Sequence, residues 1–368
     1  MQKKVVVCII GTRPEAIKFM SMVRLLSSSL LLKPFIIASG QHKSLLNQAL
    51  SEVNIIPDAY LDIMTVNQSP IKVISTLLVE LPMIIKRINN VGAILVQGDT
   101  ATAFAGALVG FSLGIPVGHI EAGLRTYNLS EPYPEEGIRQ MIDRVSTWCF
   151  APTQVSQANL ISEHIDSKNI FVTGNTVVDA VEIVRPNLPS TLVVLSRYGL
   201  NDKRKYIVVT AHRRENQGTG FQEVIKAIIH IAKYHPEINI VYPVHPNPNV
   251  NKPMHEALDG IENIQLIDPL GYLDFLALIK GSELIISDSG GVQEEASSLN
   301  IPVVLLRDVT ERPEGVTAGM TYISGCHHEK IIINVEDLLK SDKKVLRISP
   351  FGDGHAAERI LSVLESHL

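Results

Sequence analysis

The sequence predicts an α/β protein made of two doubly wound domains in tandem. Three observations predict it. Short, nearly continuous apolar runs rich in Val and Ile alternate with longer stretches of helical period, the pattern of a parallel sheet covered on both faces. The alternation breaks once, at the turn-forming segment Arg185-Pro-Asn-Leu-Pro-Ser190, and then restarts. In both halves polar residues gather just after the apolar runs, where parallel sheets bind their ligands. Each half therefore reads as a Rossmann-like domain, and the cleft between them is the expected ligand site.

The elements follow in chain order. In the first domain, residues 1–175, strands are expected at 5–10, 35–38, 93–96, 116–120, 148–151 and 170–173. Helices are expected between most of them, at 16–27, 44–52, 71–88 and 100–113. In the second domain, 190–350, strands are expected at 206–210, 238–244, 264–267, 284–287, 303–306 and 322–323. A final helix within 355–368 follows Gly352-Asp-Gly354 and is a candidate for packing back on the first domain.

Composition narrows the function. With 368 residues, 45% of them hydrophobic, the chain can bury sizeable cores, and its length favours two domains. A net charge of -5 with no basic block argues against nucleic acid as a partner. Cys8, Cys149 and Cys326 lie far apart with no CxxC pair, as expected of a reduced, cytoplasmic protein. The apolar run near the N-terminus is too short to span a membrane and is followed by no small-residue cleavage site. No H-x-x-x-H or H-x-H pair with carboxylate support appears, so no metal is expected, and the missing GxGxxG argues against a nicotinamide cofactor.

The motifs at the strand ends carry the chemistry. In Gly11-Thr-Arg-Pro-Glu15, Thr12 and Glu15 have capping-box spacing and Pro14 suits the first helical turn. Arg13 is not explained by capping, because a cation opposes the positive end of the helix dipole. An anion held by Arg13 together with the backbone amides would explain it. Lys18, one turn on, either supports that region or is an ordinary surface lysine. Asp99 follows a strand and fits a helix N-cap, Glu121 follows the next strand, and Glu135 and Arg139 are spaced for an i,i+4 pair. Three carboxylates gathered at strand ends and loops suit acid–base work or the reading of hydroxyls. In the second half, His212-Arg213-Arg214 is an anion clamp at a strand end. Ser289, Gly290 and Gly291 form a phosphate cradle opening a helix, and Glu295 is placed to accept from a ribose diol. His245 and the segment from Arg307 to Glu314, with Arg312, follow further strands.

These motifs occur together in one known family. Gly-Thr-Arg-Pro-Glu-Ala-Ile-Lys, Gly-Asp-Thr, Gly-His-Ile-Glu-Ala-Gly-Leu-Arg-Thr, Pro-Glu-Glu, Val-Thr-Gly-Asn-Thr, His-Arg-Arg-Glu-Asn, Asp-Ser-Gly-Gly-Val-Gln-Glu-Glu and Thr-Glu-Arg-Pro-Glu appear in order. The chain resembles the bacterial non-hydrolysing UDP-N-acetylglucosamine 2-epimerases from Val7 to Ile360. The resemblance implies a glycosyltransferase-B fold and interconversion of UDP-N-acetylglucosamine and UDP-N-acetylmannosamine without metal or nicotinamide. UDP would be eliminated to give 2-acetamidoglucal and then added back. The pathway served would be polysaccharide synthesis for the cell envelope.

By the same resemblance Arg13, His212, Ser289, Gly290 and Gly291 hold the diphosphate and Glu295 the ribose, with Lys18 and Arg312 also on the substrate. Asp99, Glu121, Glu135 and Arg139 form the acid–base and sugar-contacting group, and His212 is counted with the catalytic residues. A homodimer is implied, and a second UDP-N-acetylglucosamine acting as allosteric activator at Gln41, His42, Gln68, Arg213 and His245, with Glu135 also involved. Two positions depart from the family pattern: Ile138 stands where Asn is usual, and Ser44 replaces a longer polar residue. The alternatives are a 2-epimerase of a related UDP-2-acetamido sugar and a UDP-sugar glycosyltransferase of the same fold.

Overall fold

The computed structural model describes residues 2–40, 43–63, 69–200, 204–213, 216, 218–341 and 349–368. The chain divides into two compact units, Met1–Ile183 with Phe351–Leu368, and Val184–Pro350.

The first unit is built on β1 (Lys4–Ile10), β2 (Leu32–Ala38), β3 (Ala59–Tyr60), β4 (Val91–Gln97), β5 (Val117–Ile120), β6 (Trp148–Ala151) and β7 (Ile170–Val172). Between them run α1 (Arg13–Ser28), α2 (Lys43–Glu52), α3 (Pro70–Ile85), α4 (Ala101–Ser112), α5 (Glu135–Val145) and α6 (Gln154–Ser162). The strands form one parallel sheet in the order β3-β2-β1-β4-β5-β6-β7. Strands β1 and β4 are buried almost throughout, which is why they read as unbroken apolar runs. The edge strand β3 has only two residues, too few to leave a pattern in the sequence.

The chain then passes through α7 (Thr176–Val184) and α8 (Thr191–Arg197). The second sheet has the order β10-β9-β8-β11-β12-β13. Its strands are β8 (Lys205–Thr210), β9 (Ile238–Pro243), β10 (Ile264–Ile267), β11 (Ile285–Ser287), β12 (Val303–Leu305) and β13 (Thr321–Ile323). Its helices are α9 (Thr219–Tyr234), α10 (Pro248–Leu258), α11 (Tyr272–Lys280), α12 (Gly290–Ser298), α13 (Pro313–Thr317) and α14 (His328–Lys340).

The last helix, α15 (Ala356–His367), belongs to the first unit and packs on α1. Asp179 caps it by accepting from the amides of Ala356 and Ala357 at 3.1 and 2.8 Å. The His367 ring packs edge-on against both Trp148 and Phe171.

Both sheets share one feature that positions chemistry. The strand order reverses its winding between β1 and β4 in the first unit and between β8 and β11 in the second. Successive crossovers leave in opposite directions there, opening a crevice at the carboxyl ends of the strands. Among the described residues no helix is long and apolar enough to cross a membrane.

Candidate active site

In the first unit the reversal point lies between the turn after β1 and the turn after β4. Gly11 must be glycine, because a Cβ there would stand 2.2 Å from Thr102 Oγ1. Thr12 begins α1 in extended conformation, and Glu15 reaches back as the capping box requires. Glu15 Oε2 accepts from the amides of Gly11 at 2.8 Å and Thr12 at 2.6 Å, and Oε1 accepts from Thr100 Oγ1 at 2.6 Å. One buried carboxylate thus ties the two turns together. Burial pushes it up to about 7, against the opposing pull of these three donors. The expectation that these amides join Arg13 in holding an anion is corrected: the amides of Gly11 and Thr12 are already taken. Arg13 makes no ion pair among the described residues.

Glu121 directly follows β5 with a left-handed backbone, φ 73°, unusual for a residue with a side chain. Its carboxylate is clasped from three sides. Lys18 Nζ lies 2.7 Å from both oxygens, Gln97 Nε2 donates to Oε2 at 2.7 Å, and Asn175 Nδ2 donates to Oε1 at 3.0 Å. Lys18 is buried, so it is not a surface lysine. Asp99 pairs with Arg139 Nη2 at 2.7 Å while keeping 28% of its side chain exposed. Arg139 also reaches Glu136, at 3.4 Å, and not Glu135, so the i,i+4 pair expected from the sequence does not form. Glu135 sits half-buried at the first position of α5.

Helix α5 carries three buried charges on one face, at i, i+3 and i+7. Glu136 accepts from the amides of Thr126 and Tyr127, both at 3.0 Å, and Arg139 holds Asp99. Asp143 meets His119 Nδ1 at 2.6 Å, Arg125 Nη2 at 2.7 Å and the Gly123 amide at 3.2 Å. Burial pushes the Asp143 carboxyl up, but His119 and Arg125 outweigh burial and hold it below its ordinary value. His119 Nε2 in turn meets the carbonyl of Gly98, the residue before Asp99. Ile138, on the same helix, packs in the apolar core with Ala101, Ala105 and Ile142.

In the second unit the reversal point brings together the turn after β8 and the start of α12. Asp288 is fully buried. Its Oδ2 accepts from the amides of His212 and Arg213, both at 2.8 Å, and from Asn216 Nδ2 at 3.1 Å. The His212 imidazole stacks on that of His245, centroids 5.4 Å apart and planes 8° from parallel. Helix α12 opens at Gly290, so the amides of Gly290 and Gly291 fall in its first turn, where no helical carbonyl is available. Gly290 lies under the Arg312 guanidinium, with a Cβ there only 2.7 Å from Nη1, whereas a Cβ on Gly291 would meet open space. Arg312 is buried and bound to Glu294, at 2.7 Å, and to Glu311. Glu295 follows Glu294 on α12 and is half-buried. Gln41, His42 and Gln68 lie outside the described residues. Among the described residues no group of three or more His, Cys, Asp or Glu could hold a metal ion.

With this geometry established, comparison with known proteins decides the family. The family model described as UDP-N-acetylglucosamine 2-epimerase matches residues 26–365. The chain belongs to the UDP-N-acetylglucosamine 2-epimerase family. A UDP-N-acetylglucosamine 2-epimerase of Yersinia pestis is 43% identical, covering 98% of each chain. The crystal structure of UDP-GlcNAc 2-epimerase from Neisseria meningitidis bound to UDP-GlcNAc superposes with a TM-score of 0.94 at 40% identity, covering 98% of this chain and 100% of that one. The S. aureus MnaA–UDP co-structure superposes with a TM-score of 0.90 at 37% identity, covering 99% of this chain and 96% of that one. The fold is accordingly the glycosyltransferase-B fold of these epimerases.

Sequence reasoning missed several members of the site. Gln97 ends β4 and Asn175 comes shortly after β7, and both hold Glu121. Glu136 was overshadowed by its neighbour Glu135. Asp288 was passed over beside Ser289 and the glycines. The available signal was position: each of these polar residues stands at or near a strand end or a helix start.

Proposed function

We propose that this chain interconverts UDP-N-acetylglucosamine and UDP-N-acetylmannosamine by eliminating UDP and adding it back. The C2 proton of the sugar has no neighbouring carbonyl to acidify it. Breaking the C1–O bond as the C2 proton leaves gives UDP and 2-acetamidoglucal, and re-addition with the proton delivered to the other face gives the epimer. The route needs a stabilised diphosphate leaving group and acid–base groups at the ring.

The observation that carries the reading is the pair of carboxylates in the first unit, each held by its own buried cation: Glu121 by Lys18 and Asp99 by Arg139. A carboxylate fixed in this way keeps its position while a proton comes and goes. Asp99, Glu121 and Glu135 serve as the acid–base group, with Arg139 and Lys18 orienting them. In the second unit His212, Ser289, Gly290 and Gly291 hold the diphosphate with Arg312 behind them, and Glu295 holds the ribose. Relatives bound to UDP-GlcNAc and to UDP support this choice of ligand.

The protein works in the cytoplasm, as its separated cysteines suggest. It forms a homodimer through α3, whose core stripe Val73, Leu77, Leu81 and Ile85 is matched on the other side by exposed Ile71, Val79 and Met83. A second UDP-N-acetylglucosamine activates it at Arg213 and His245, together with Gln41, His42 and Gln68.

The test is NMR of the purified protein with UDP-N-acetylglucosamine in D2O, without added metal or nicotinamide. The expected result is UDP-N-acetylmannosamine carrying deuterium at C2. Epimer that retains the C2 proton would rule out the elimination route, and no epimer at all would overturn the activity.

A further inference from the structure

The reversal point of the second sheet holds a carboxylate with work left over. Asp288 is fully buried, and Oδ2 satisfies three donors, the amides of His212 and Arg213 and the side chain of Asn216. Its other oxygen, Oδ1, is buried and accepts no hydrogen bond. A buried anionic oxygen without a donor is costly. The group that faces it is the imidazole of His212, with Nδ1 3.4 Å away. That separation suits an ion pair and is slightly long for a hydrogen bond.

The second neighbour of this ring narrows its protonation state. His245 stacks on His212, and its Nδ1 accepts from the Asn247 amide at 3.1 Å. A ring nitrogen that accepts carries no proton, so His245 is neutral in this arrangement. Of the two stacked rings, the one facing a buried carboxylate is therefore the one placed to be positive. With its Nδ1–H directed at Asp288, the His212 ring keeps its Nε2–H for another partner.

We propose that Asp288 is a positioning residue that holds His212 as an imidazolium, directing its Nε2–H at the diphosphate of the nucleotide. The inference rests on the reading of His212 as a diphosphate contact, and adds the group that charges it. As the C1–O bond breaks and negative charge grows on the leaving diphosphate, a charge-assisted hydrogen bond is already in place. No proton need move: Nδ1–H stays with Asp288 and Nε2–H stays with His212.

The geometry makes Asp288→Asn a sharp perturbation. The three donors on Oδ2 require an acceptor, so the amide oxygen of Asn takes that place and the loop keeps its anchor. The amide nitrogen must then occupy the Oδ1 position and point its N–H at His212 Nδ1. The ring responds by becoming neutral, protonated at Nε2 only, the same logic by which a carboxamide imposes the wrong tautomer in a serine-protease triad.

The experiment is 15N NMR of histidine-ring-labelled protein at neutral pH, with the His212 signals assigned by their loss in His212→Gln. Free wild-type protein is expected to show a proton on Nδ1, and the UDP complex protons on both nitrogens. Asp288→Asn is expected to show an unprotonated Nδ1 in both states and to bind UDP about 10-fold more weakly, since a charged hydrogen bond is roughly twice as strong as a neutral one. In the His212→Gln background the same substitution should change UDP affinity less than about 3-fold, because its route to the ligand is gone. A purely structural role for Asp288 would weaken binding equally in both backgrounds and leave the ring pattern unchanged, and either result overturns the proposal. If wild-type protein fails to bind UDP, the proposed function fails instead, and the ring pattern of the free protein still decides for or against Asp288.

Discussion

Replacing Lys18 with methionine removes the cation from the Glu121 clasp while keeping the length of the side chain. Lys18 Nζ stands 2.7 Å from each carboxylate oxygen, and both residues are buried. At an effective dielectric of about 20 the gross attraction at that distance is about 6 kcal/mol. Desolvation of two charges offsets much of it, so the informative quantity is the cost of leaving one charge alone, about 3–5 kcal/mol for a broken buried pair. Gln97 and Asn175 still donate to Glu121, which places the expected loss near the lower end, about 3 kcal/mol.

The chain has a single tryptophan, Trp148, buried in β6 of the first unit, so its fluorescence reports the unfolding of that unit. With a urea slope of about 2–3 kcal/mol/M, the Lys18→Met midpoint should fall by roughly 1–1.5 M. Glu121→Gln in the same background removes the stranded charge and should recover most of the loss, a coupling of about 2 kcal/mol or more. Single losses that simply add, to within about 0.5 kcal/mol, would mean that Lys18 and Glu121 do not act as a pair and would sink the reasoning.

Three other outcomes are expected. Glu15, raised to about 7 from an ordinary 4.5 mainly by burial, binds a proton more tightly in the folded state. Its contribution is therefore fully present below about pH 4.5 and lost as pH rises through about 7, roughly 3 kcal/mol in all. Wild-type protein should lose that much relative to Glu15→Gln between pH 5 and 8 in Trp148-monitored unfolding, and parallel curves would refute it. Asp143→Asn removes the anion between His119 and Arg125 and should cost about 3–5 kcal/mol at neutral pH. Because the folded-state carboxyl is held low, that difference should shrink as pH falls below about 4, which acid unfolding of the two proteins checks. Ile138→Asn buries an amide among apolar side chains, and should lower stability by about 2–4 kcal/mol in the same urea assay.

The architecture was legible because its signal is hydrophobic period. Strands buried on both faces, such as β1 and β4, cannot be mistaken for amphipathic ones. The expected helix at 100–113 is α4 with its caps included, since Thr100 is the N-cap and Leu113 the C-cap. The expected helix at 71–88 stops earlier, at Ile85, where two tight turns follow. The partners of the charged residues were not legible, because they depend on which turns the sheet order brings side by side. Asp99 and Arg139 are 40 positions apart, and Lys18 and Glu121 are separated by 103. No local spacing rule reaches such pairs, and the local rule that did apply, i,i+4 for Glu135 and Arg139, chose the wrong partner.

The two reversal points solve one problem in the same way, and the solution explains why arginine and histidine follow the strands. A crevice at strand ends exposes backbone amides that attract any anion. In each unit an internal carboxylate takes the amides of one turn: Glu15 those of Gly11 and Thr12, Asp288 those of His212 and Arg213. Each carboxylate also ties two segments together: Glu15, in the first turn of α1 after β1, reaches Thr100 after β4, and Asp288, after β11, holds the turn after β8. The turns are thereby fixed before any ligand arrives, and they are no longer available to an adventitious anion. In the proposed function, recognition passes to the side chains that the fixed turns present, Arg13 and His212. A guanidinium at a helix start, unfavourable beside the dipole alone, is compatible with the carboxylate of Glu15 lying on the adjacent amides. Losing Glu15 or Asp288 should therefore weaken anion binding without removing a single direct contact to the anion.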